Sequence, residues 1–339
     1  MNIAPCCFGM APLPCAVMIK TDRWIENARS IPITTLHWQV RLSEAGRLPR
    51  WKGSLLRGAL GWALKVVAGG APAPAWPGCS ESFYVAVFEP QNGWKSPRAV
   101  PLWNLSCSDR REQMHAGDCI TGHLHCLGPW PEWALQIWEE AFRHAVHTGL
   151  GEKRLQAELT RWQVEAGVTP PPVPPCDHIR SLELHTISPC RLKEQDRDLH
   201  ELNGPCIARS LVRRLRALCI QTMDEDLFGD DRGLWYHHAS SQLLQSAGES
   251  HRVSLERNSA RQKRKHPMPA LAGWLRLECS DWQPWAWLFA LAPWLHIGRQ
   301  PHFGLGAVDV RWLTTETPLS EINHADPSHD ISALEHPRQ

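Results

Sequence analysis

Several things are scarce in this chain of 339 residues, and each absence excludes something. Charge of one sign is not in excess: 36 Lys plus Arg stand against 35 Asp plus Glu, a formal net charge of +1. A protein that gripped nucleic acid by bulk charge would be strongly basic, so a histone-like or tail-like binder is excluded and any polyanion site must be local. The twelve cysteines include no C-x-x-C pair, which argues against a zinc ribbon or redox dithiol and fits reduced thiols in a cytoplasmic protein. The apolar N-terminus, residues 1–19, is cut by Pro5, Pro12 and Pro14 and has no basic n-region. It therefore reads as a flexible leader (1–30), or as an extension upstream of a start at Met10 or Met18, rather than as a signal peptide or membrane span. Tyrosine is nearly absent (Tyr84 and Tyr236), and no Lys/Arg-Gly-Phe/Tyr run occurs, against the stacking platform of a general RRM-type RNA-binding regulator.

What is present is a 43% hydrophobic chain with 18 Trp and 18 His, ample for a core and long enough for about two domains of about 150 residues each. The run Thr169-Pro-Pro-Pro-Val-Pro-Pro175 can form neither helix nor central strand and marks a linker at 169–178. In the half before it (31–168), residues 34–42 alternate apolar and polar, 53–67 carry apolar residues at helical spacing, 83–88 read as a short strand, 119–127 alternate, 132–147 read as a helix, and a strand lies near 155–164. In the half after it (179–313), strands are expected at 181–187, near 252–255, at 273–278 and at 307–312, with helices at 206–223 and 282–295. The fold class expected is α+β: two tandem ferredoxin-like (RRM-like) β-α-β-β-α-β domains, a glycine-rich loop near the C-terminus, and an acidic flexible tail at 314–339. Gly149-Leu-Gly151 and Gly304-Leu-Gly306 both follow the second helix of their half. That is the reverse of the Rossmann order and excludes a dinucleotide fingerprint.

The neutral total hides segregation. Residues 20–65 hold nine basic and three acidic residues, 204–223 four and none, and 251–299 eight and three. Three basic stretches on an otherwise acidic body suit one focused polyanion face. The densest, residues 255–266, reads as a loop whose Arg257, Arg261, Lys263, Arg264 and Lys265 can follow a phosphate backbone while Ser259 and Gln262 take neutral hydrogen bonds. His144-x-x-His147 and His237-His238 lack an evident carboxylate or thiolate partner, so no metal is expected.

Four blocks in order resemble the CRISPR-associated precursor-crRNA endoribonucleases of the RAMP superfamily: Trp51-Lys-Gly-Ser-Leu-Leu-Arg-Gly-Ala-Leu-Gly61 with Phe83-Tyr-Val-Ala-Val-Phe-Glu89; Val212-Arg-Arg-Leu-Arg-Ala-Leu218; Arg257-Asn-Ser-Ala-Arg-Gln262; and His296-Ile-Gly-Arg-Gln-Pro-His-Phe-Gly-Leu-Gly306. The resemblance implies a glycine-rich loop at the RNA, no cofactor, and metal-independent cleavage of CRISPR repeat transcripts beside a hairpin. In that chemistry the ribose 2′-OH attacks the adjacent phosphate and leaves a cyclic phosphate. It implies as partners the precursor repeat hairpin, the mature crRNA and other CRISPR effector subunits, with no membrane. Relatives with the Lys-Gly-Ser block often carry a cysteine cluster after it; here only Cys79 remains, so no zinc is expected. Many also place a catalytic His in or beside the first helix, and residues 54–67 contain none.

Transfer by a 2′-OH needs a base, cations on the developing phosphorane and an acid for the 5′-oxygen. His37, on the outward face of the first strand, and His302, in the glycine loop, are the acid–base candidates. Arg50, Lys52 and Arg57 flank the first helix N-terminus, where they can hold and stabilise the phosphate. RNA contacts are expected further from Arg213, Arg214, Gly298, Arg299, Gln300, Gly304 and Gly306. A non-catalytic RAMP subunit that grips guide RNA is the alternative.

Overall fold

The computed structural model describes residues 31–318, except 77, 80, 81, 95–98, 171, 225, 227–236, 238 and 260–263, and leaves the side chains of 256–259 and 264–266 undescribed. The expected leader, most of the tail, His238, Arg261, Gln262 and Lys263 lie outside the described residues.

The first half folds in the order β1 (Ile33–Leu42), α1 (Gly53–Val67), α2 (Phe83–Phe88), β2 (Trp103–Ser106), β3 (Cys119–Leu127), α3 (Glu132–Thr148) and β4 (Ala157–Glu165). Its four strands pair antiparallel in the order β2-β3-β1-β4. The second half runs β5 (Ile179–Thr186), α4 (Gly204–Met223), β6 (Leu243–Ser259), β7 (Arg264–Cys279), α5 (Ala286–Ala290), α6 (Ala292–Leu295) and β8 (Val308–Thr314), paired antiparallel as β6-β7-β5-β8. Both sheets thus have the same strand order, with the two central strands being the first and third of the unit, as the β-α-β-β-α-β reading requires. No helix among the described residues is long and apolar enough to cross a membrane.

In β1 the period of two sends Leu36, Trp38 and Val40 into the core, where Trp38 packs on Phe142 of α3 at 5.4 Å between ring centroids. Thr35, His37, Gln39 and Arg41 face the other way. Along β3, Leu124 and Cys126 are buried on the helix side, and His123 and His125 share the open side with His37.

Three expectations need correction. Residues 83–88 form a helix, and the strand falls at Trp103–Ser106 instead; a six-residue apolar run has no periodicity of its own to separate the two. Residues 282–295 hold two short helices broken at Leu291, where Pro293 lacks the N–H that would continue the first. The supposed loop at 255–266 belongs to a hairpin whose strands are 17 and 16 residues long, with Arg257 opposite His266 and Ser259 opposite Arg264. Only Trp274–Glu278 of β7 pairs with β5 and Leu271 bridges to Cys190, so the part beyond projects as a two-stranded arm. Gly273 (φ 142°) stands where the arm leaves the sheet; a Cβ there would meet the Glu249 carbonyl oxygen at 2.0 Å.

The arm is held by a cluster apart from the main core: Leu255, Met268 and Ala270 pack with Trp51 ahead of α1 and with Phe303 and Leu305 of the glycine loop. The halves also meet where β2 faces α4. There Gln221 both accepts from the Val100 N–H (2.7 Å) and donates to its carbonyl (3.1 Å).

Candidate nucleic-acid interface

The glycine loop begins at His296, which takes φ 57°, and continues through Gly298 (φ 73°), Gln300 (φ 63°), Gly304 (φ 79°) and Gly306 (φ 74°). At Gly306 a Cβ would lie 1.9 Å from the Ile297 carbonyl oxygen, so only glycine fits. The loop closes on itself: Ile297 N–H donates to Gly306 O (2.8 Å), Gly298 N–H to Ser210 Oγ (3.1 Å), Gly304 N–H to Pro301 O (2.8 Å) and Gly306 N–H to Pro189 O (3.0 Å). The Gly298, Gly304 and Gly306 amides are thus spent inside the protein, so these glycines offer an RNA strand no free N–H. They shape a loop that presents side chains.

Those side chains line a cleft of about 410 Å³ between the loop, the head of α4 and the segment before β2. Arg191, Lys193, Arg213, Arg299, Gln300 and His302 stand around it, and among the described residues no Asp or Glu lines it. Arg299 pairs with Asp196 at 3.1 Å, but that carboxylate side chain is 88% exposed. Such a pair is weak and exchangeable for a phosphate. Arg191 is held by Asp198 through Nε at 2.9 Å and Nη2 at 3.2 Å, which fixes its guanidinium at the wall.

Several expected site residues lie elsewhere. Lys52 is 0% exposed, with its Nζ 2.9 Å from Asp109 Oδ1 and 2.6 Å from the Arg111 carbonyl. It therefore anchors the 109–111 loop and does not reach a ligand, which corrects its assignment to the phosphate. Arg57 lies between the rings of Phe88 (4.7 Å) and Phe303 (4.3 Å), tying α1 to the glycine loop. Arg214 is buried, bonds to Asn104 Oδ1 and the Pro101 carbonyl, and has its pKa lowered to about 9 by burial. It joins the halves at the wall of the cleft, which it also lines. Arg50 is half-buried ahead of α1. Beyond it Arg110, missed in the sequence, stacks on Trp51 at 4.5 Å.

The two candidate histidines are not brought together. His302 rests against Trp103 (6.0 Å), whose ring meets Trp138 of α3 on the helix-covered side of the sheet. His37 is on the open side, with Nε2 2.9 Å from Glu165 Oε2 and Nδ1 3.0 Å from His123 Nδ1. Neither His123 nor Glu165 was singled out in the sequence. The outward alternation of β3 is legible, but the register that sets His123 opposite His37 is not.

Residues 184–308 match the family model of the CRISPR-associated endoribonuclease Cas6, and residues 31–173 match the model of an N-terminal domain family. No protein of curated function matches the sequence. Among solved structures, the chain is similar to Thermus thermophilus Cas6 (12% identity, 83% of this chain, 99% of that one, TM-score 0.54) and to a Cas6 product complex (11%, 82% and 100%, TM-score 0.55). It is also similar to part of a Cas6-RT-Cas1–Cas2 complex, with 9% identity, 85% of this chain, 47% of that one and a TM-score of 0.53. Paired ferredoxin-like sheets and a glycine-rich loop thus frame a second half, residues 184–308, that is a domain of the CRISPR-associated endoribonuclease Cas6 family.

Proposed function

We propose that the protein matures CRISPR RNA by cutting the precursor beside the repeat hairpin without a metal ion, and that it retains the product. The Cas6 domain at residues 184–308 supports the RNA-endonuclease activity and CRISPR RNA processing. The observation that carries the finer reading is the cationic, carboxylate-free lining of the cleft at the glycine loop. Two-metal phosphoryl transfer relies on carboxylates to hold the ions. A wall of guanidinium and ammonium groups instead holds the phosphates of a bound strand directly. In this reading Arg299, Arg213 and Lys193 grip the backbone on the 5′-product side with His302 at the same wall, and Arg50 adds positive charge ahead of α1. Lys52 and Arg57 position the 109–111 loop and Phe303. The arm, with Arg257, Ser259, Arg264 and Lys265 on its strands and Arg261, Gln262 and Lys263 between them, lies along the hairpin stem. The protein's partners are the precursor repeat, the mature crRNA and other CRISPR effector subunits.

The test is incubation of the purified chain with its repeat RNA in EDTA. One discrete cut is expected, ending in a 2′,3′-cyclic phosphate and abolished by a single 2′-deoxy substitution at the cut. Arg299→Ala should weaken repeat binding about tenfold, the scale of one charge-assisted phosphate contact. A magnesium requirement, or a cut that survives the 2′-deoxy substitution, overturns the mechanism. Tight binding without any cut would make the chain a guide-gripping subunit.

A further inference from the structure

The open face of the first sheet carries a connected acid–base array that the cleft does not use. Glu165 at the end of β4, His37 in the middle of β1 and His123 in the middle of β3 form one line: Glu165 Oε2 to His37 Nε2 at 2.9 Å, then His37 Nδ1 to His123 Nδ1 at 3.0 Å. The hydrogen-bond inventory fixes its direction. A carboxylate only accepts, so His37 donates through Nε2; a neutral His37 then accepts at Nδ1, so His123 donates through Nδ1. A neutral His123 is left with its lone pair on Nε2, and that residue is exposed. Both nitrogens of His37 are occupied, so His37 itself is not the free base. We propose that His123 Nε2 is the general base that deprotonates the attacking 2′-OH, with His37 and Glu165 as its positioning residues.

This inference rests on the cleavage reading above and names its proton acceptor. The 2′-OH proton passes to His123 Nε2 as the 2′-oxygen bonds to phosphorus. The P–O5′ bond breaks, the 5′-oxygen takes a proton from water, and the imidazolium returns its proton to the hydroxide so formed. Nothing is oxidised or reduced, and no atom is gained or lost. The imidazolium is stabilised through His37 by the Glu165 charge, the logic by which a carboxylate orients an imidazole in hydrolytic triads. Desolvation and the neighbouring His37 hold the His123 pKa below the ordinary histidine value, against an upward pull from Glu165. The ring is therefore unprotonated and able to accept near neutral pH.

Position supports the role. His125, two residues along β3 or about 7 Å away, pairs with Asn104 of β2, whose side chain bonds to Arg214 in the lining of the cleft. The ring of His125 also lies 5.9 Å from that of His296, where the glycine loop begins. In this step the strand held by the cleft reaches the open face, where Arg161 of β4, opposite Gln39 and two residues from the partner of His37, is exposed and can meet a phosphate. The charged groups acting on His123 are His37 from β1 and Glu165 from β4, with Arg161 of β4 further along the same face, His125 on its own strand and His296 beyond it.

The experiment is single-turnover cleavage of repeat RNA between pH 5 and 9, with repeat affinity measured alongside. His123→Ala is expected to lose at least 100-fold in rate with little change in affinity, as for removal of a general base. His123→Gln, which can still donate toward His37 but cannot titrate, should be as slow. Added imidazole should restore part of the His123→Ala rate, and Glu165→Gln should lower the rate about tenfold and displace the acid limb of the pH profile. If wild type cuts while His123→Ala and His123→Gln stay within threefold of it, or if imidazole rescues nothing, the assignment falls and the cleavage reading stands. If wild type does not cut in any condition, both fall together.

Discussion

His296 is a titratable ring placed where water does not reach: 1% exposed, its Nδ1–H donating to the Leu305 carbonyl at 3.0 Å, and its Nε2 facing no hydrogen-bond partner among the described residues. Burial, with Arg214 nearby, holds its pKa down at about 3. His125 is shifted in the same direction, chiefly by burial. The sign follows from linkage. The unfolded chain binds a proton at each of these rings near the ordinary histidine pKa of about 6.5, while the folded chain refuses it until much lower pH. Their contribution is therefore complete above about 6.5 and is lost as pH falls from there toward 3. For His296 alone the loss amounts to about 2 kcal/mol between pH 7 and pH 5. Urea denaturation at the two pH values should show at least that decrease, and His296→Gln should flatten it. A stability independent of pH in this interval would mean that the glycine loop admits water and that His296 is not buried in solution.

The arm is the element that differs most from its sequence reading, and its two jobs separate along its length. Near the sheet, Val253, Leu255, Met268 and Ala270 pack toward Trp51, Phe303 and Leu305 and so fasten the glycine loop to the head of α1. Beyond Glu256 and Pro267, which face each other in register, the arm is basic. Replacing residues 257–266 by Asn-Gly keeps the packed base and its register with a turn suited to a two-residue hairpin. Thermal stability should stay within a few degrees of wild type. The slope of log Kd against log salt for repeat RNA should fall by about 0.7 to 0.9 for each phosphate contact removed. An unchanged slope would take the tip off the RNA. The arm also shows what periodicity conveys and what it hides. Helices α1, α3 and α4 and strands β1 and β3 were legible because one face of each meets the core at the expected period. The arm was not, since its apolar partners are three residues from distant parts of the chain and the sequence of its far end is rich in charge. Lys52 misled for a related reason: the position ahead of α1 suits an anion, but Asp109, 57 residues later, already supplies one.

Across the whole molecule, a net charge of +1 becomes a statement about selectivity once the fold is known. Arg213 of the second basic stretch and Arg299 of the third line one cleft, and the arm and the glycine loop of the second half are clamped to the head of α1 in the first. Gly53 makes that contact possible: a Cβ there would lie 2.0 Å from the Phe303 carbonyl oxygen. Two of the cations, Lys52 and Arg214, are spent on internal structure, so the face is smaller than the sequence count implies. The remaining cations sit on a body that is otherwise negative, and a polyanion gains only where its phosphates match them; elsewhere it is repelled. At about 150 mM salt, where screening acts within about 8 Å, the protein should prefer its repeat RNA over an unrelated RNA of equal length by at least about 100-fold, a difference of about 2.7 kcal/mol. Competition binding with the two RNAs measures this directly. Equal affinity for both, or binding that does not weaken between 50 and 500 mM salt, would show that charge is not focused at one face and that the arm, α4 and the glycine loop act separately.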